Sequence, residues 1–183
     1  MKSLPWDEYF MLQAILASFK SKDPNTKVGC VFVDEFNHQL SMGYNGFIAG
    51  HDESALPWSN DRSLPYEEQK YGYVVHSEAN AILHAQGPLL NSKLYVTLFP
   101  CEECAKMLAT KKIKEVIYFS DKYEGTSGNV ISKRILALAK ISYRQLFMNE
   151  RVLKEFYHFS QGLIQSLKKE GSLSEKKRET LPV

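Results

Sequence analysis

The sequence predicts an α/β layered domain, with helices on both faces of a sheet. Three observations lead there. Short runs dense in β-branched and aromatic residues, such as VGCVFVD (28–34) and EVIYF (115–119), read as buried strands. The first two strands are close enough in sequence to form a hairpin, whereas the later ones are separated by helical segments, as parallel crossovers require. The chain has 183 residues, which suits one domain with a tail.

In chain order, residues 5–20 (PWDEYFMLQAILASFK) place Trp6, Phe10, Leu12, Ala14, Ile15, Leu16 and Phe19 at largely helical spacing behind Pro5, an amphipathic helix. SKDPNT (21–26) is turn chemistry. Strand 28–34 and its hairpin partner QLSMGYN (39–45) flank a polar turn. Residues 46–72 form a long irregular segment, and such a loop inside a compact domain tends to be functional. HSEANAILHA (76–85) is a helix with Ala79, Ile82 and Leu83 as its expected inner face. KLYVTL (93–98) is a strand, and CEECAKMLAT (101–110) a helix following Pro100. After strand 115–119 come a loop over 121–129, a helix over 130–140, a strand over 141–147 and a closing helix over 150–168. Residues 1–169 are read as the folded domain and 170–183 as a charged, mobile tail.

Composition excludes several classes. With 44% hydrophobic and 24% charged residues, the chain is neither disordered nor fibrous. No apolar run reaches the ~18–20 residues of a membrane span. Asp7 and Glu8 precede the first apolar stretch, so the start does not read as a secretory signal. The net charge is +2, and residues 168–183 account for it with five Lys/Arg against three Asp/Glu. The body balances, so it lacks the basic surface that a nucleic-acid partner demands. Three cysteines, Cys30, Cys101 and Cys104, do not make a disulfide framework and point to a reducing, cytoplasmic setting.

The chemistry is concentrated in His76-Ser77-Glu78 and Pro100-Cys101-Glu102-Glu103-Cys104. Both stretches open helices, where free N–H groups and a partial positive charge favour thiolate over thiol. One imidazole and two thiolates form a zinc set. His84 lies eight residues past His76, roughly 12 Å along the helix, and cannot share its metal. Cys30 reads as a core residue, while His51 in the long loop stays open as a fourth ligand. Three protein ligands would leave a position for an activated water, with Glu78 beside it as a proton carrier. The competing readings are a thioredoxin-like redox pair and a purely structural zinc.

The pairing of H-x-E with P-C-x-x-C is the signature of zinc nucleobase deaminases. With WDEYFM (6–11), SKDPNTKVG (21–29), GYNG (43–46), LPW (56–58), KYGYVVHSEANAI (70–82), LYVTLFPCEECAK (94–106) and IKEVIYFSDKY (113–123), the chain resembles the cytidine and deoxycytidylate deaminase superfamily, nearest its deoxycytidylate branch. The resemblance implies a three-layer α/β/α sandwich around a mixed five-stranded sheet. It implies one Zn²⁺ per chain on His76, Cys101 and Cys104, and hydrolytic deamination of dCMP to dUMP and ammonia, which supplies dUMP for thymidylate synthesis. Glu78 carries the proton to ring nitrogen 3 and then to the departing amine. By analogy Asn45 contacts the sugar and the Ser77 and Cys101 backbones hold the base. Lys22, Asn25, Lys122 and Tyr123 are candidates for the 5′-phosphate.

The resemblance also implies a homo-oligomer, with a hexamer favoured. Control by dCTP and dTTP, with Mg²⁺ accompanying the triphosphates, would act at a pocket around Gly43, Asn45 and Gly46. Position 77 is Ser where the family more often has Ala. The stretch after Tyr123 (EGTSGN) is short and glycine-rich, which bears on phosphate and effector specificity. The alternatives are the same chemistry on dCTP, deoxycytidine or a tRNA adenosine, and a zinc-stabilised module without turnover.

Overall fold

The computed structural model describes residues 3–179, with side chains described through residue 168. The chain divides into two compact units, residues 1–147 and 148–183. In the first unit a five-stranded sheet runs in the order β2-β1-β3-β4-β5, with β1 Gly29–Val33, β2 Gln39–Tyr44, β3 Lys93–Leu98, β4 Glu115–Ser120 and β5 Ser142–Gln145. β1 is antiparallel to both β2 and β3, whereas β3, β4 and β5 are parallel. The sheet is therefore mixed, as expected, with the hairpin at one end.

All five residues of β1 are buried, because helices cover both its faces. Helix α1, Trp6–Ser18, supplies Phe10, Met11, Ala14 and Ala17 to one face. On the other, Cys30, Phe32, Leu94, Val96 and Val116 pack with Ala81 of α2 (Ser77–His84), Ala105 and Leu108 of α3 (Glu102–Thr110) and Leu136 of α4 (Ser127–Leu138). Two glycines let helices approach the hairpin. A Cβ on Gly29 would lie 2.1 Å from the Ala14 carbonyl oxygen, and one on Gly43 2.2 Å from that of Ser77. Gly43, expected at an effector pocket, thus also seats α2 directly on β2.

Several expectations shift. Helix α1 is not amphipathic in the anticipated register, since Trp6, Leu16 and Phe19 are exposed while Met11 and Ala17 are buried. In α2 the inner face is Ser77, Glu78 and Ala81, and Leu83 points outward. Close packing against Gly43 selects Ser77 and Ala81. Helix α4 starts at Ser127 rather than 130, capped by Thr126, whose hydroxyl accepts from the Asn129 amide at 3.4 Å. Strand β5 is confined to four residues at the sheet edge, where Arg144 pairs with Asp7 at 2.7 Å and Glu115 at 2.9 Å. In the second unit α5 runs over Glu150–Glu179, eleven residues past the expected end, and carries the i,i+4 pairs Arg151–Glu155 and Lys154–Glu150. Its backbone continues through part of the segment expected to be a tail, and residues 180–183 of that segment lie outside the described residues.

Candidate active site

His76 is the N-cap of α2 and Cys101 the N-cap of α3, both in extended backbone, and neither side chain makes a capping hydrogen bond. Both are therefore free to turn toward a common centre. One turn into α3, Cys104 completes it. His76 Nδ1 lies 3.3 Å from Cys101 Sγ and 3.4 Å from Cys104 Sγ, and the three donor atoms lie within 4.8 Å of one another. A tetrahedral cation with ~2.0–2.1 Å and ~2.3 Å bonds sets nitrogen and sulfur ligands about 3.6 Å apart, so this donor set fits zinc. Among the described residues no further His, Cys, Asp or Glu joins the group. His51 instead lines a cavity with Lys22, Asp52 and Glu53. Cys104 is buried, Cys101 half-buried and His76 exposed, so the centre opens toward solvent on the histidine side.

The three donors and Glu78 are strongly coupled. The Cys101 hydrogen bond lifts the His76 imidazole to about 9, against the effect of burial. A hydrogen bond from Cys104 pulls the Cys101 thiol down to about 4, and His76 reinforces this. That same hydrogen bond, together with burial, pushes Cys104 up. Glu78, in the first turn of α2, is 4% exposed, and its charge acts on both His76 and Cys104. Burial raises its carboxyl, with His76 and the Ser77 hydroxyl offsetting part of the effect. A carboxyl held above its usual range is suited to taking up and releasing a proton. Cys30 is a core residue, fully buried, with its thiol pushed up by burial.

Loop 21–28 is fixed by a hub that the sequence did not disclose. Lys70 Nζ donates to both oxygens of Asp23, at 2.9 and 2.7 Å, and both residues are buried. Asp23 Oδ1 also accepts the amides of Asn25 and Thr26. Asn45 donates to Thr26 and Asp23 and accepts from the Val28 amide, so its side chain is largely engaged within the protein. Lys122 reaches across to Thr26 Oγ1 at 2.9 Å and covers the Tyr123 ring. The structure therefore brings Asn25, Lys122 and Tyr123 to one loop pair and adds Thr26. Lys22 parts from them, pairing with Glu53 at 3.0 Å. The Asp-Pro-Asn-Thr turn hinted at the amides, but nothing local marked Lys70 as their anchor.

This hub predicts an acid response. Burial raises the Asp23 carboxyl, but the Lys70 hydrogen bond and the two amides outweigh it and hold the group below its ordinary 3.8. A depressed folded pKa contributes stability that is complete above the unfolded value and is lost as pH falls through the folded one. Urea unfolding followed below about pH 4 should show wild type losing stability more steeply than Asp23→Asn. At pH 7 that variant should be weaker by about 3–5 kcal/mol, because Lys70 is left buried without its counter-charge.

A three-donor metal centre opening to solvent, flanked by a buried carboxyl at the carboxyl end of β3 in an α/β/α sandwich, defines a zinc-dependent hydrolase that activates water. The chain belongs to the cytidine and deoxycytidylate deaminase family: the family model for the cytidine and deoxycytidylate deaminase zinc-binding region matches residues 4–120. It is 43% identical over 147 residues to a probable deoxycytidylate deaminase of Drosophila melanogaster, covering 78% of this chain and 72% of the relative. It is 38% identical over 143 residues to the deoxycytidylate deaminase of Homo sapiens, covering 78% and 80%. The fold is shared with the dCMP deaminase of cyanophage S-TIM5 crystallised with dCMP and dUMP, at a TM-score of 0.63 and 23% identity over 80% of this chain and all of that one. The enzyme is a hydrolytic deaminase, and among the described residues no helix is long and apolar enough to cross a membrane.

Proposed function

We propose that the protein deaminates dCMP to dUMP and ammonia. The observation that carries this reading is the buried Glu78 carboxyl beside three metal donors whose centre opens to solvent. His76, Cys101 and Cys104 would hold zinc, which when bound would make a water acidic enough to act as a nucleophile near neutral pH. Glu78 would accept one proton from the attacking water and deliver it to ring nitrogen 3, then take the second proton from the added hydroxyl as the carbonyl forms and pass it to the departing amine, one carboxyl serving twice. The backbones of Ser77 and Cys101, at the starts of α2 and α3, border the space for the base. Asn25, Lys122 and Tyr123, joined at Thr26, receive the 5′-phosphate, while Asn45 holds that loop from behind.

The relatives' substrate supports dCMP over other cytosine compounds, and the charge-balanced body weighs against a tRNA. We assign the deaminase domain to residues 1–169 and the working compartment to the cytoplasm, in keeping with three free thiols. A second cavity, of about 370 Å³, is lined by Lys20, Lys22, Tyr44, Trp58, Asn80 and His84, and by none of the metal donors. We propose it as the effector pocket, taking dCTP or dTTP with Mg²⁺ in a homo-oligomer, the hexamer favoured. Gly43 and Gly46 line it too. Lys20 is its cation for a phosphate, since Lys22 is paired with Glu53, which also lines the cavity.

Turnover of dCMP, dCTP, deoxycytidine and a tRNA stem-loop, measured in parallel with and without dCTP and dTTP, tests the reading. Deoxycytidine is expected to fall behind dCMP in kcat/KM by roughly 10–100-fold, the worth of one charge-assisted hydrogen bond to phosphate. Equal rates would overturn the phosphate assignment. A sigmoidal dCMP curve straightened by dCTP would support the effector pocket.

A further inference from the structure

Ser77 sits between the candidate metal ligand His76 and the buried Glu78. It is 0% exposed, and its hydroxyl donates to Glu78 Oε2 at 2.7 Å. Among the described residues this is the one side-chain hydrogen bond that Glu78 receives. The site is closed from below as well. Cys30 on β1 is fully buried beneath it, and burial pushes its thiol up. Ser41, also buried, spends its hydroxyl on the Ala81 carbonyl instead, so Ser77 alone serves the carboxyl.

The terminal torsion of a glutamate is broad and roughly two-fold, so an untethered carboxyl presents either oxygen at many angles. Proton transfer needs one oxygen within hydrogen-bond reach of donor and acceptor in turn. We propose that the Ser77 hydroxyl is a positioning group for this transfer: it tethers Oε2, fixes the plane of the Glu78 carboxyl and leaves Oε1 as the oxygen that exchanges the proton. This rests on Glu78 being the proton carrier. In each cycle Oε1 takes up and passes on two protons in turn, one from water to ring nitrogen 3 and one from the added hydroxyl to the departing amine, while the Ser77 O–H bond never breaks.

The wild-type enzyme is assayed first. If it fails to deaminate dCMP, the proposed function falls, and the inference with it. With an active wild type, Ser77→Ala should lower kcat by about tenfold, the worth of one hydrogen bond to a charged group. The KM for dCMP and the Kd for dUMP should stay within about twofold, with one zinc per chain retained. The binding readout uses the deoxynucleotide monophosphate of pyrimidin-2-one, which adds water across its ring and so needs the same proton transfer. Its Kd should weaken by about the factor lost in kcat. Ser77→Gly, which also lacks the hydroxyl, should behave alike and stands in if the alanine variant does not fold. Unchanged kcat and unchanged binding of the hydrate would overturn the proposal. So would equal losses in dUMP and hydrate affinity, which would mark a merely structural serine.

Discussion

Glu78→Gln is expected to lower kcat for dCMP by about 10²–10⁴-fold, the usual worth of a positioned proton-transfer group. The change is nearly isosteric, and an amide oxygen still accepts from Ser77, so the packing around this 4% exposed residue is kept. It also removes a carboxyl that burial already disfavours in its charged form, so thermal stability should hold or rise slightly. Zinc content is expected to stay at one per chain, because Glu78 is outside the donor group. Turnover, metal analysis and thermal melts on the same preparation separate these effects. Activity within a few-fold of wild type would remove Glu78 from the proton path, whatever the fold and metal content.

The second large effect concerns the metal. Cys104→Ser should cut zinc from one per chain to a small fraction and abolish turnover with it. Thiolate is a soft ligand with a far more accessible ionised form than a serine hydroxyl, and the shortened side chain withdraws from the 3.4 Å contact with His76 Nδ1. Stability should also fall. A metal bound to the folded chain alone, present at a thousand times its Kd, contributes about 4 kcal/mol. Added zinc should therefore raise the melting temperature of wild type and leave that of the variant nearly unmoved. Stoichiometric zinc in Cys104→Ser would mean that the donor set is misassigned.

The five strands and the helix openings at His76 and Cys101 were legible in the sequence, because strand runs and the H-x-E and P-C-x-x-C spacings are local patterns. Helix faces were less so. In α1 apolar residues recur on every side of the helix after its first turn, and in α2 Ile82 and Leu83 compete with the small Ala79 and Ala81, so periodicity could not tell Phe10 and Met11 from Trp6 and Phe19, or Ala81 from Leu83. The start of α4 was hidden by Thr126-Ser127-Gly128-Asn129, a stretch that reads as loop until Thr126 is seen capping it. The phosphate candidates were split by a contact at long range, with Glu53 drawing Lys22 away from Lys122.

By itself, the sequence determined the kind of chemistry. Histidine, glutamate and two cysteines at those spacings place their side chains at the first turns of two helices, a consequence of helical geometry within a few residues. Tertiary structure alone decided that the two helix starts meet, that no fourth donor reaches them among the described residues, and that Lys70 anchors Asp23 across 47 positions. The physical reason is that such contacts depend on how β1, β3 and the helices stack, and stacking is set by burial summed over the whole core rather than by any local run of residues.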